Sequence, residues 1–140
     1  MAAIDYGTLI IKDDKVLNKK EDLFPDLVLG EYTVRCYKKT LTIVKNDDKE
    51  NKEVYWFDED RYSYYLDTVL GRIKVRTLSR NYGGRFITRI SGYTIIFGYG
   101  IDNSLNRGYQ KRVMRDYGFD KREKRIVSKY LWGEKENETD

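Results

Sequence analysis

The side chains that do most enzymatic chemistry are scarce in this chain. It has no histidine, so the commonest general base is missing. Ser-His and Cys-His dyads and every His-ligated metal site go with it. The single cysteine, Cys36, can form neither an internal disulfide nor a thiolate cluster. Cys36 alternates with Val34 and reads as a small core residue in a strand. As a nucleophile it would lack an imidazole to activate it. Asp58-Glu59-Asp60 could ligate Mg²⁺ or Ca²⁺. The triplet lacks calcium-loop spacing, and acidic triplets in turns are commonly just solvated. Tyr82-Gly83-Gly84 and Gly98-Tyr99-Gly100 lack the strand–loop–helix spacing and the trailing Lys-Ser/Thr of a phosphate loop. The expectation is a non-enzymatic protein with no metal and no cofactor.

Basic residues carry more information. Arg72, Lys74 and Arg76 alternate with Ile73 and Val75, as a strand with one cationic face does. Arg85 and Arg89 share one face of the next strand with Ile87 between them, and Tyr82 stands in the loop between the strands. Arginines with an exposed tyrosine could stack on and pair with nucleic acid. They equally make a protein-interface patch, or they solubilise an exposed sheet face. A second set is helical. Arg107, Lys111 and Arg115 recur one turn apart, with Arg112 on the same polar half. Arg122 and Arg125 lie on the polar side of a following helix. The short turn Gly118-Phe119-Asp120 between the two would suit a helix–turn–helix-like pair. Ser128 is the only side chain there suited to reading base edges, so contacts would go mainly to phosphates.

Composition agrees with a binding role. The chain has 140 residues, 27 Lys+Arg and 23 Asp+Glu. That length fits one domain with a core of its own. Residues 1–70 hold 11 basic and 15 acidic side chains, whereas 72–129 hold 15 basic and 4 acidic. Such a block is the footprint of an acidic partner, whether nucleic acid or a protein surface. The bland alternative is one basic face balanced by an acidic one. No stretch approaches the ~20 apolar residues of a membrane span, and no signal peptide is expected. A lone cysteine fits a reducing compartment, so the expected location is the cytoplasm of a host cell, or a virion.

These residues must be positioned by elements. The 13 tyrosines, with the β-branched content, favour strands. Thr8–Ile11 and Val16-Leu17 read as a hairpin turning at Asp13-Asp14, followed by a polar connector over 18–26. Residues 31–57 read as an antiparallel meander with a solvated turn at 45–52. Residues 61–70 fit either a short helix or a strand. Ser91-Gly92 is a two-residue hairpin signal. It pairs Ile90 with Tyr93, which puts Phe86, Thr88, Ile90, Tyr93, Ile95 and Phe97 on one core face. A helix is expected from about 105 to Tyr117, ended by Gly118. A second starts at Asp120, with Glu123 in the capping-box position. Ile126, Val127, Tyr130 and Leu131 would be its apolar side. The expected class is α+β: an antiparallel sheet of meanders and hairpins, then two C-terminal amphipathic helices. A single domain over 1–132 would end in an acidic tail, 133–140.

The opening Ala2-Ala3-Ile4-Asp5-Tyr6-Gly7-Thr8-Leu9-Ile10-Ile11-Lys12, with Lys15-Val16-Leu17-Asn18 and a later Tyr37-Lys38 pair, resembles small phage and prophage proteins of low-GC Gram-positive bacteria. The likeness covers the N-terminal third, and the chain lacks the cysteine-rich insert some of them carry. It implies a viral gene and supplies no activity and no site residue. The combined expectation is a phage accessory protein that binds a host protein or nucleoprotein complex through its basic, Tyr/Arg-rich face, as an anti-defence inhibitor would. Phosphate-directed nucleic-acid binding and a head or tail subunit of the virion stay open as alternatives.

Overall fold

The computed structural model describes residues 7–19, 21–79, 84–98 and 120–132. Within them ten strands form two antiparallel sheets, and one helix follows. The N-terminal hairpin is β1 (Leu9–Lys12) and β2 (Lys15–Val16). Asp13 and Asp14 turn it with positive φ, 52° and 65°, the backbone that a two-residue hairpin turn requires. A four-stranded meander comes next: β3 (Asp26–Leu29), β4 (Tyr32–Tyr37), β5 (Thr40–Lys45) and β6 (Asp48–Trp56). A second meander follows, β7 (Ser63–Thr68), β8 (Gly71–Ser79), β9 (Arg85–Ile90) and β10 (Tyr93–Gly98). The hairpin joins the far side of this second meander, giving a six-stranded order β2-β1-β10-β9-β8-β7. Helix α1 (Lys121–Trp132) lies against that sheet.

The layers follow from alternation. Ile10, Tyr64, Ile73, Val75, Phe86, Ile90, Ile95 and Phe97 point inward from the six-stranded sheet. Leu27, Val34, Cys36, Leu41 and Ile43 answer them from the four-stranded one. Phe57, on the link between the meanders, fills the gap, with its ring centroid 5.0 Å from Phe97 and 5.5 Å from Phe86. The reverse face of the six-stranded sheet is also apolar along β1, β9 and β10. There Leu9, Ile11, Ile87 and Ile96 pack under Ile126 and Val127 of α1. The molecule is therefore a two-sheet sandwich with a helix on one outer face.

The connector over 18–26 is tied down. The Thr8 amide donates to the Leu23 carbonyl at 2.7 Å. Asn18 accepts from the Ile10 amide and donates to the Thr8 carbonyl. Gly7 permits this crossing: a Cβ there would sit 2.1 Å from the Leu23 carbonyl oxygen, and its φ is +66°.

The α+β expectation is corrected to a mostly β sandwich. Two strands differ from the expectation. β3 was not anticipated, and β6 begins at Asp48 inside the supposed solvated turn. Both faces of that arm meet water, so charged side chains do not oppose pairing there. Residues 63–68 are a strand, because pairing with β8 puts Tyr64 in the core opposite Val75. One helix is found among the described residues; the helix expected over 105–117, and the acidic tail, lie outside them. The hairpin signal at Ser91-Gly92 gives the expected register, Ile90 opposite Tyr93 and Phe86 opposite Phe97. The capping box at Asp120 and Glu123 also forms.

Candidate partner-binding face

The outward residues of β7, β8 and β9 form the face on which the cationic strands were placed. Antiparallel pairing sets Tyr65 opposite Lys74, Asp67 opposite Arg72, and Arg76 opposite Ile87. The Arg72 guanidinium lies 4.5 Å from the Tyr65 ring centroid, and Lys74 Nζ lies 5.9 Å from it. The ring is held by cations and still exposed. Arg72 also approaches Asp67 at 3.8 Å, on a fully solvated pair.

Nearer the helix, two cations stand at ion-pair distance from one carboxylate. Arg76 reaches Glu123 Oε1 and Arg89 reaches Oε2, each at 3.7 Å. Glu123 is 5% exposed. Its Oε1 also accepts from the Asp120 amide at 3.2 Å, and its own amide donates to Asp120 Oδ1 at 2.7 Å. One side chain thus caps the helix and holds two arginines of the sheet. Between them a cleft of about 350 Å³ is lined by Lys74, Arg76, Ile87, Thr88, Arg89 and Asp120.

Arg85 does not belong to this surface. It is on the expected face by parity but is buried, and its Nη2 donates to the Gly7 carbonyl at 3.1 Å. A register shift between Thr77 and Ser79 and the incoming N-terminal segment place it inside. Arg122 hydrogen-bonds Asp14 of the β1–β2 turn, which raises its pKa further and ties α1 to the hairpin. Arg125 is exposed beside Lys129 and Tyr130, away from the sheet arginines. Ser128, placed on the polar side from the sequence, is buried. Tyr82, Arg107, Lys111, Arg112 and Arg115 lie outside the described residues. The structure brings together Arg72, Lys74, Arg76 and Arg89, and adds Tyr65. That tyrosine was hidden in the ambiguous stretch 61–70. Reading it as a strand would have set Tyr65 beside the cations.

The remaining reactive candidates are occupied. Cys36 is buried, and desolvation pushes its thiol far above the ordinary range. Glu59 turns to Lys39, whose hydrogen bond holds the carboxyl below its usual pKa. Asp58 Oδ1 accepts from the Asp60 amide at 2.9 Å and shapes the turn. Among the described residues, no helix is long and apolar enough to cross a membrane. Compared with protein-family models, curated proteins and solved structures, the chain matches none.

Proposed function

We propose that the chain is a non-enzymatic phage accessory protein that grips an acidic surface of a host protein or nucleoprotein complex, in the manner of an anti-defence inhibitor. It acts in the host cytoplasm. The observation that carries this reading is the arrangement of Tyr65, Arg72, Lys74, Arg76 and Arg89. The tyrosine lies beside two cations, and two arginines stand at ion-pair distance from a buried glutamate.

Tyrosine and arginine are the side chains that most often carry an interface hot spot. The charge balance favours a protein over a phosphate backbone. Four cations on the face meet three carboxylates: Asp67, Asp120 and Glu123. A polyanion needs a surplus of positive charge, whereas a protein partner needs matched groups in fixed places. Affinity capture from host lysate with the full chain, run beside Tyr65→Ala and Arg89→Glu, tests this. One stoichiometric partner should be held by the wild type and lost by both variants. A partner kept by both variants refutes the site.

A further inference from the structure

The four-stranded sheet has an outer face of different character. Its central strand offers Thr40, Thr42 and Val44 as a low floor. Register lines up Tyr37, Thr40 and Trp56 across β4, β5 and β6, then Arg35, Thr42 and Val54, then Thr33, Val44 and Lys52. Larger side chains therefore flank β5: Tyr37 and Trp56 on both sides at one end, Arg35 on one side in the middle and Lys52 on one side at the other end. At one end they are aromatic. Trp56 is 78% exposed and Tyr37 47%. Tyr37 is steadied edge-on by Phe24 at 4.6 Å, with Lys38 Nζ 5.5 Å from its ring centroid. At the other end a cleft of about 570 Å³ is lined by Lys45, Lys49, Lys52, Arg35 and Asp26, among others. The one carboxylate of that lining, Asp26, is taken by Arg35 at 2.9 Å, and Asp48 stands opposite Lys45 across the β5–β6 pair.

We propose that this groove is a second binding surface, and that its ligand is single-stranded nucleic acid. Exposed rings and a low threonine floor accept the flat faces of unpaired bases. A duplex hides those faces, so it is not the ligand. Lysine is depleted at protein interfaces, whereas lysines lining a cleft at one end of the groove suit phosphates. The dimensions agree. Tyr37 and Trp56 stand two strand spacings apart, roughly 10 Å. From Thr40 to Val44 the floor runs about 13 Å. The strand lies along β5 with bases on Tyr37 and Trp56 and its backbone leading to Lys45, Lys49 and Lys52.

The test uses the full chain and a short fluorescent oligothymidylate, read by anisotropy across a salt series. Binding should weaken with salt and quench Trp56 fluorescence. Trp56→Ala should lose ~5–150-fold in affinity, and Trp56→Phe should keep most of it. Reversing Lys45, Lys49 and Lys52 to Glu should lower the salt slope by about 2. Trp56 is so exposed that its variants should melt as the wild type does. Three results overturn the proposal. The oligonucleotide fails to bind at low salt; Trp56→Ala binds it unchanged; or Arg89→Glu abolishes binding and Trp56→Ala does not, which assigns the strand to the other sheet.

Discussion

On the six-stranded sheet, the outward Ile87 and Ile96 lie under α1, and the arginines around them are drawn into fixed pairs or buried. On the four-stranded sheet the outward Tyr37, Val54 and Trp56 stay exposed, and the lysines beside them gather round an open groove. Both faces come from the same alternation of strand residues. The difference is the cover. A helix laid on a sheet displaces water, and the group it buries here is Glu123, which has Arg76 and Arg89 at ion-pair distance. Without a cover, water screens the lysines and they need no fixed partner. Arg85, with its hydrogen bond to Gly7, is the extreme of the first case; Lys49 and Lys52, exposed along β6, belong to the second.

The comparison breaks most completely if the shared core fails. Phe97→Asp should abolish cooperative melting, because an unpaired charge buried among Phe57 and Phe86 costs roughly 3–5 kcal/mol or more. An intact transition would refute the assignment of the core face. Next in size is the contrast between two arginines of β9. Arg85→Ala should cost about 2 kcal/mol in urea unfolding, since it loses a charged hydrogen bond inside the protein. Arg89→Ala, solvated beyond its contact with Glu123, should cost less than ~1 kcal/mol. Equal losses would mean that cover does not separate the two sites. On the open face, Trp56→Ala should stay within ~0.5 kcal/mol of the wild type in the same assay.

The smallest effect lies at the seam where the sheets meet. Tyr55 of β6 donates from its hydroxyl to Glu53 Oε1 at 2.9 Å, and the Asp67 carbonyl of β7 is 3.2 Å away. Glu53 Oε1 also accepts from the Val69 amide at 3.0 Å. Desolvation, then the hydrogen bond and charge of Glu53, push the Tyr55 phenol up to about 12. The unfolded phenol would ionise first, near pH ~10. The stability from this seam is therefore complete below that value and is lost as pH rises toward 12. An ultraviolet titration should show late phenols, Tyr55 among them with Tyr64 and Tyr130, and Glu53→Gln should bring the Tyr55 phenol forward. No change in the variant would remove Glu53 as the cause.

Local signals were legible where neighbours in sequence are neighbours in space. The Ser91-Gly92 turn fixed the β9–β10 register, and the Asp120–Glu123 spacing marked the start of α1. The charged arm of β6 misled because a strand with water on both faces carries no hydrophobic alternation. The fate of Arg85 was illegible, since the carbonyl that binds it belongs to Gly7, far away in sequence. The fold class failed for a related reason. Local pattern gives strands, but their division into two sheets depends on which edges meet, and β1 meets β10. Tyr37 and Trp56 were readable as outward residues, because each follows an inward neighbour, Cys36 or Tyr55, yet nothing local says which outward face stays uncovered.

The pairing of β1 with β10, Leu9 opposite Ile96, gives the chain an order of assembly. A ribosome releases the first strand early and its partner only after Gly98. The two meanders close on neighbours and can form during synthesis, whereas β1 must wait for the chain to come round. Until then the edge of β10 is open to any other strand, including β1 of another nascent copy. The hairpin turn at Asp13-Asp14 and the tether at Asn18 keep that waiting strand short and folded on itself. Slow expression or low temperature should therefore raise the yield of monomer, and exchange of this hairpin between copies is the error this topology invites.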